Sequence, residues 1–382
     1  MSYLALYRKY RSKTFDEIVG QKHITQSLIN QIKNDEVGHA YLFTGTRGTG
    51  KTSIAKIFAK AINCLSPVNG SPCGKCQACR ALNDAGSVDI FEIDAASNNR
   101  VDEIRELRER VKYPPVTCRY KVYIIDEVHM LTDSAFNALL KTLEEPPSYV
   151  VFILATTEVQ KLPATILSRC MRFDFKLLTE EELESHLKYV FKDSGIKYED
   201  SAVSTIARLG AGSVRDTLSI ADMCVAYSNR NVTYNSVIEA VGMTDRNTMK
   251  ILLSAVLDKN EGEVLSNIDM VARAGKNITQ LAKDLVGYVR DLLIVKTCKD
   301  YKSILKLPSD QIKELEELSK KADNTRLIDI LTVLSSLDNE FRYSTNPRGL
   351  LEIKLVMLCN YDSRDIDELK MKIKVLESKI NK

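Results

Sequence analysis

Ala40-Tyr41-Leu42-Phe43-Thr44 runs directly into Gly45-Thr46-Arg47-Gly48-Thr49-Gly50-Lys51-Thr52 and then into Ser53-Ile54-Ala55-Lys56-Ile57-Phe58-Ala59-Lys60-Ala61-Ile62. An apolar β-rich run precedes, an amphipathic segment of helical spacing follows, and G-x-x-x-x-G-K-T stands complete between them. Strand, loop and helix in that order are the context a phosphate-binding loop requires. The glycines let backbone N–H groups turn toward phosphate oxygens, and the helix N-terminus adds favourable partial charge. All eight loop residues, Thr46, Arg47 and Thr49 included, are therefore expected around a nucleotide. Lys51 would reach the β- and γ-phosphates, and the Thr52 hydroxyl would ligate Mg2+.

Further β-rich runs follow at Val88–Asp94, Lys121–Asp126, Val150–Ala155 and Arg172–Phe175, separated by amphipathic stretches such as Thr52–Ile62 and Arg100–Val111. Strands alternating with helices predict a parallel α/β sheet. The run Val122-Tyr123-Ile124-Ile125 ends in Asp126-Glu127. Beside a phosphate loop, Asp126 is placed to hold Mg2+ and Glu127 to orient and polarise an attacking water. A solvated acidic turn would be the bland reading of the same pair. With the loop present, the phosphoryl group is expected to go to water, which makes the chain an ATPase. His129 completes a DExH string that suggests a helicase, but such a motor needs a second α/β unit, and the remainder reads as helical. His129 is then a packed or exposed side chain.

After about Lys176 the β signal fades. Thr179-Glu180-Glu181-Glu182 fits a capping box, and breaks fall near Gly195, Gly210–Gly212 and Asn229–Asn231. The boundaries expected are an ATPase domain over 1–178, a small helical domain over 179–242, a further helical domain over 243–365 and a C-terminal helix or linker over 366–382. In the third, Ile278, Leu281, Leu285, Val289 and Leu292 share one helix face. In the tail, Ile366, Leu369, Ile373, Leu376 and Ile380 form a seam only two heptads long, which suits a coiled coil or a helix packed on its own domain.

Cys64, Cys73, Cys76 and Cys79 follow the phosphate-loop helix with the spacing C-x8-C-x2-C-x2-C. Four soft thiolates at such gaps suit a closed tetrahedral Zn2+ shell, structural rather than catalytic, because no position is left for water. The other five cysteines, Cys118, Cys170, Cys224, Cys298 and Cys359, are scattered among apolar neighbours and read as buried thiols. A charge of +3 on 382 residues does not by itself imply nucleic-acid binding. No apolar run approaches the roughly 20 residues of a membrane span, and Met1–Phe15 has no signal-peptide pattern, so a cytoplasmic protein is expected.

Three further residues sit where chemistry would need them. Arg169, on the turn Ile166-Leu167-Ser168-Arg169-Cys170, is either a surface charge or an arginine finger offered to a neighbouring subunit's γ-phosphate. A hydroxyl of Leu154-Ala155-Thr156-Thr157, at the end of the fourth strand, could sense that phosphate. Arg215, in Gly212-Ser213-Val214-Arg215-Asp216, stands at a helix start from which it could report nucleotide to the helical domain.

These motifs, with Leu6-Tyr7-Arg8-Lys9-Tyr10-Arg11, Phe15-Asp16-Glu17-Ile18-Val19-Gly20-Gln21, Asp126-Glu127-Val128-His129-Met130-Leu131 and Leu140-Lys141-Thr142-Leu143-Glu144-Glu145-Pro146-Pro147, identify a resemblance that covers essentially the whole chain. It resembles the gamma/tau subunits of bacterial DNA polymerase III, the motors of the sliding-clamp loader. The resemblance implies an AAA+ P-loop ATPase domain with a zinc-binding insertion, a helical lid and an all-α collar that oligomerises. It implies a five-membered ring with delta, delta prime and further gamma/tau copies, a beta clamp and primer-template DNA as partners, and ATP, Mg2+ and Zn2+ as cofactors. The subunit would belong to a DNA-directed DNA polymerase, a nucleotidyltransferase, without itself polymerising, and would work at replication forks on the nucleoid. Residue by residue, it implies that Arg169 acts in trans, that Thr157 and Arg215 are the two sensors, and that Arg11 and Val19 lie near the adenine. Ser12 departs from a usual proline and would loosen that turn. The longer form's segments that bind helicase and polymerase core are not present in this sequence. Arg100, Lys141 and Lys161 would face DNA in such a ring, each equally readable as a solvated surface charge. Two competing functions are a nucleotide-binding structural AAA+ subunit that does not hydrolyse, and a repair or recombination motor, which would lack the cysteine insertion.

Overall fold

The computed structural model describes residues 4–82, 89–97, 106–107, 109–305, 307 and 309–360. The chain divides into two compact units, Met1–Val237 and Ile238–Lys382. The first contains one five-stranded parallel sheet: β1 (Ala40–Thr44), β2 (Ile90–Asp94), β3 (Lys121–Asp126), β4 (Val150–Thr156) and β5 (Met171–Asp174), in the order β2-β3-β4-β1-β5. This is the parallel α/β architecture expected, with strand ends shifted by one or two residues.

Both faces of the sheet are covered, which is why its central strands read as unbroken apolar runs rather than as alternating ones. Side chains of a strand point alternately to opposite faces. Tyr41 and Phe43 of β1, Val122 and Ile124 of β3, and Val151 and Ile153 of β4 therefore join one core, which also holds Ile54 and Phe58 of the helix Lys51–Ala61. Leu42, Tyr123, Ile125, Phe152 and Leu154 point the other way, onto Ala135, Phe136 and Leu139 of the helix Asp133–Glu144. Each of these large side chains is fully buried or nearly so, worth about 1.5–3 kcal/mol apiece. This two-sided clamp fixes the carboxyl ends of β1, β3 and β4, where the motif residues emerge.

The capping box forms: the Thr179 hydroxyl accepts the Glu182 N–H at 3.3 Å, and the Glu182 carboxylate accepts the Thr179 N–H at 3.0 Å. Helices Glu180–Asp193, Asp200–Leu209 and Val214–Tyr227 follow; the breaks between them carry positive φ at Gly195, Ala211 and Gly212, and the turn after the last does so at Asn229 and Arg230. Contrary to the purely helical expectation for this stretch, Lys197–Tyr198 pairs in parallel with Asn231–Val232. Two residues per strand are too few to leave a period-2 pattern.

The second unit is a helical body. Helices Arg246–Leu257, Glu261–Arg273, Ile278–Thr297 and Asn324–Phe341 start on side-chain caps from Asp245, Asn260, Asn277 and Asp323. The expected face of Ile278–Thr297 is the buried one: Leu281, Leu285, Val289 and Leu292 enter the core and Ile278 packs at its edge. The heptad seam of the tail and the candidate DNA contact Arg100 lie outside the described residues. Among the described residues, no helix is long and apolar enough to cross a membrane.

Candidate functional site

The phosphate loop turns from β1 into the helix Lys51–Ala61, and its first N–H, from Gly45, is tied to the Thr156 carbonyl of β4 at 3.3 Å. Gly48, at φ +79°, brings the loop so close to the start of helix Val214–Tyr227 that a Cβ there would lie 1.9 Å from the Ser213 hydroxyl. The Val214 N–H donates to the Gly48 carbonyl at 3.1 Å. Only glycine fits this combination of backbone shape and close approach. Lys51 lies inside the loop, its Nζ donating to the carbonyls of Gly45 (2.7 Å) and Thr46 (2.9 Å). Burial pulls the Lys51 pKa down, and Glu127 and Asp126 partly oppose it. The Thr49 hydroxyl closes the turn on the Thr46 carbonyl at 2.9 Å.

The acidic pair meets the loop. Thr52 Oγ1 donates to Asp126 Oδ2 at 2.6 Å, so the two oxygens expected to share Mg2+ are already neighbours. Their hard oxygen character and adjacency to the phosphate loop fit that ion. Glu127 sits at φ +48°, an uncommon conformation for a non-glycine residue and one that concentrates at functional sites. Its N–H donates to Asp126 Oδ1 at 3.0 Å, and its Oε2 accepts the Thr157 hydroxyl at 3.1 Å. His129 is packed rather than exposed, with 6% of its side chain accessible. Its Nδ1 is 3.4 Å from Glu127 Oε2 and its Nε2 3.3 Å from Glu158 Oε1. Nδ1 also lies 3.0 Å from the Thr156 hydroxyl. The residue that suggested a helicase thus braces the acidic cluster.

Loop and acids form one end of a cavity of about 610 Å³. Arg11, Val19 and Arg215 all line it, as do Tyr7, Ile18, His186 and Leu218, which the sequence reading did not single out. Arg11 Nε donates to the Ser53 hydroxyl at 3.3 Å, and the Arg215 guanidinium lies 5.7 Å from the centre of the Tyr7 ring. Ser12, expected to loosen its turn, instead ties it by donating to the Glu17 carbonyl at 3.2 Å. Tyr7 falls within the N-terminal stretch quoted above, whereas His186 and Leu218 carry no local motif.

Arg169 is not among the residues lining its own chain's cavity. One of its Nη atoms pairs with Glu144 at 2.7 Å and the other donates to the Thr165 carbonyl at 2.8 Å. Lys161 pairs with Glu158 at 2.9 Å, and Lys141 lies in the last turn of its helix, exposed.

Cys64, Cys73, Cys76 and Cys79 converge, with all four Sγ atoms within 4.8 Å of one another. The N–H groups of Cys73, Cys76 and Cys79 point at the sulfurs of Cys64 (3.3 Å), Cys73 (3.3 Å) and Cys76 (3.4 Å), which favours thiolate. For Cys76, burial works against ionisation, but N–H groups of Cys79 and Leu65 outweigh it and hold the pKa at about 6. Hydrogen bonds from the backbone of Lys75 and Cys76 lower Cys73, while burial raises Cys64 and Cys79. A cluster of this donor set suits a tetrahedral soft-ligand ion. The knob is docked on the sheet domain: the Phe15 N–H donates to the Ser71 hydroxyl at 2.9 Å, and Gly70, at φ +82°, lies against Ile29 with no room for a Cβ. Of the five cysteines expected to be buried, Cys224 and Cys359 are, whereas Cys118, Cys170 and Cys298 are only partly so; burial raises the Cys170 and Cys224 thiols to about 11.

Three family models match the chain in succession: DNA polymerase III, delta subunit, over residues 20–179; DNA polymerase III clamp loader subunit, ATPase lid domain, over 182–230; and DNA polymerase III subunits gamma and tau domain III, over 232–372. DNA polymerase III subunit tau of Bacillus subtilis is 40% identical over 100% of this chain and 69% of its own length. The tau/gamma subunit of Haemophilus influenzae is 50% identical over 78% of this chain and 43% of its own. The gamma subunit of Buchnera aphidicola is 36% identical over 84% and 89% respectively.

Proposed function

Since the chain belongs to the gamma/tau family of DNA polymerase III subunits, we propose that it is the ATP-hydrolysing motor of a sliding-clamp loader, acting with delta- and delta prime-type partners on a beta clamp and primer-template DNA. The observation that carries the reading is the hydrogen-bonded set Thr52, Asp126, Glu127 and Thr157 at the mouth of an intact phosphate loop. A subunit that merely held nucleotide would have no need of it.

The triphosphate lies along the loop N–H groups, and Lys51 exchanges the Gly45 and Thr46 carbonyls for β- and γ-phosphate oxygens. Thr52 and Asp126 would hold Mg2+, which would supply positive charge against those phosphates. Glu127 accepts a proton from the attacking water as the new O–P bond forms. The bond from the γ-phosphorus to the bridging oxygen breaks, and ADP leaves with the electron pair. Thr157 and His129 hold the Glu127 carboxylate until the γ-phosphate offers Thr157 another acceptor. Arg169 completes a neighbour's site in trans, presented by its pairing with Glu144. Residues 179–242 act as the lid, with Arg215 reporting the nucleotide, and 243–365 form the collar. Cys64, Cys73, Cys76 and Cys79 would hold Zn2+, which would cross-link the 64–79 knob. The subunit does not polymerise DNA itself.

ATP turnover, measured with and without clamp, primed DNA and partner subunits, tests the reading. Hydrolysis is expected to rise with all three present, and Glu127→Gln is expected to bind ATP yet turn over about 10²-fold or more slowly. A wild type that binds ATP but never hydrolyses it under these conditions would refute the motor and leave a structural subunit.

A further inference from the structure

The mechanism above leaves most of the stretch Leu140-Lys141-Thr142-Leu143-Glu144-Glu145-Pro146-Pro147 without a task. It ends the helix Asp133–Glu144. Leu139 and Leu143 are buried in the core beneath, which fixes the helix end on that side. Beyond it, Pro146 and Pro147 offer no N–H to continue the helix, and a proline keeps the residue before it out of the helical region. Glu145 accordingly sits at φ −128° and ψ 66°. Glu144 is thereby set at a defined place in the last turn. That place is a poor one for a carboxylate, because a helix C-terminus carries negative partial charge, and Glu145 adds a second carboxylate beside it. The pair with Arg169 does not offset this in stability: its side chains are 49% and 33% accessible, and exposed pairs contribute little to folding.

The arginine end is fixed as firmly. Arg169 follows the short helix Ala164–Leu167, whose Ile166 is fully buried in the same core as Leu143. The Arg169 N–H donates to the Ile166 carbonyl at 3.1 Å. In its side chain, Nη2 donates to Glu144 Oε1 at 2.7 Å and Nη1 to the Thr165 carbonyl at 2.8 Å, with the Ser168 hydroxyl at 3.4 Å from Nη1. A guanidinium has five N–H donors in a planar fork. Among the described residues Nε meets no partner, so the hold grips the fork by its terminal nitrogens and leaves donors over for an anion.

We propose that Glu144 is a positioning residue for the arginine finger: with the Thr165 carbonyl it holds the Arg169 guanidinium in one orientation, ready for a γ-phosphate bound by a neighbouring subunit, and the Leu140–Pro147 stretch sets that carboxylate in place. This rests on the reading of Arg169 as acting in trans. A free arginine gives up much of its side-chain freedom on meeting a phosphate. One already held by a carboxylate and a carbonyl has given it up beforehand, so the gain appears where the finger counts, in the transition state. A carboxylate kept where the helix disfavours it is then a concession of stability to activity.

ATP turnover by the loader assembled from the full chain with delta- and delta prime-type partners, clamp and primed DNA tests it, with Glu144→Ala, Arg169→Ala and the double variant beside the wild type. Glu144→Ala is expected to lower kcat about tenfold and to change the KM for ATP by less than about threefold. Its melting temperature should be no lower than that of the wild type, since a carboxylate leaves a helix C-terminus. In the Arg169→Ala background the same change should have no further effect on kcat. Glu144→Gln, which keeps an oxygen to accept from Nη2 but no charge, should fall about threefold, and it takes the place of Glu144→Ala if that variant does not assemble. An unchanged or faster Glu144→Ala beside an impaired Arg169→Ala, or an equal fall in both backgrounds, overturns the positioning role and leaves the motor reading standing. Arg169→Ala as active as the wild type overturns the finger and this proposal with it, whereas a wild type without turnover refutes the motor itself.

Discussion

Gly48→Ala probes the joint between phosphate loop and lid helix, and the structure allows its effect to be divided into two parts. The first is backbone: Gly48 sits at φ +79°, where an L-residue costs about 1–2 kcal/mol. The second is contact. The new Cβ would lie 1.9 Å from Ser213 Oγ and 3.0 Å from Ser213 Cβ, so the hydroxyl must leave. That hydroxyl caps the helix Val214–Tyr227 by accepting the Asp216 N–H at 3.2 Å. Lost cap and crowding together cost about 1–3 kcal/mol.

Ser213→Gly separates the two parts. Alone it costs only a few tenths of a kcal/mol, roughly the difference between Ser and Gly caps. Combined with Gly48→Ala, it removes the two nearest atoms, leaves Arg215 Cβ at 3.3 Å, and leaves the backbone cost untouched. The double variant should therefore be more stable than Gly48→Ala alone, with a coupling of about 1–3 kcal/mol. The readout is the unfolding transition that Mg-ATP raises. Gly48→Ala should lower it by about 5–15 °C and the second substitution should restore part of that. Strict additivity, or a Gly48→Ala protein as stable as wild type, would refute the close approach on which the coupling between loop and lid rests.

Two further outcomes follow from the site and its supports. Purified protein should carry about one Zn2+ per chain, since four thiolates fill one tetrahedral shell; chelation should expose those four thiols to thiol reagents and lower thermal stability while changing ATP affinity by less than about threefold. Loss of nucleotide binding on chelation would contradict a purely structural knob. Asp89, buried, accepts the N–H groups of Val116 (2.8 Å), Thr117 (2.8 Å) and Cys118 (3.0 Å) and the Thr117 hydroxyl (2.7 Å). Burial alone would raise its pKa, but these donors outweigh it and the folded value lies below the ordinary one. A depressed folded pKa contributes stability above the unfolded value of about 4, and that contribution is lost as pH falls through the folded value. Asp89→Asn should cost about 1.5–3 kcal/mol at pH 7, and the gap from wild type should narrow below about pH 4; equal gaps in thermal scans at pH 7 and pH 3.5 would count against it.

How much of the site was legible in the sequence depends on what each residue must do. Phosphate binding needs a particular local backbone, so it leaves glycines at fixed offsets between a strand and a helix, and Gly45 to Thr52 could be read directly. Asp126 and Glu127 need only a strand end beside that loop, and the apolar run before them supplies it. The sheet order was not legible, because β1 lies between β4 and β5 through pairings more than a hundred residues apart, and no local pattern encodes a register over that distance. The same holds for the knob, whose cysteines announce a metal but not the Ser71–Phe15 bond that docks it. His129 shows the reverse error: its string suggested a motor class, while its geometry makes it a brace for Glu127. The cavity wall away from the motifs is the limiting case. His186 and Leu218 come from two separate helices, and lining a cavity asks only that their surfaces meet. Such a requirement constrains the folded shape and leaves the local sequence free, so the phosphate loop and the acidic pair are written along the chain, whereas this part of the wall emerges only when the chain is folded.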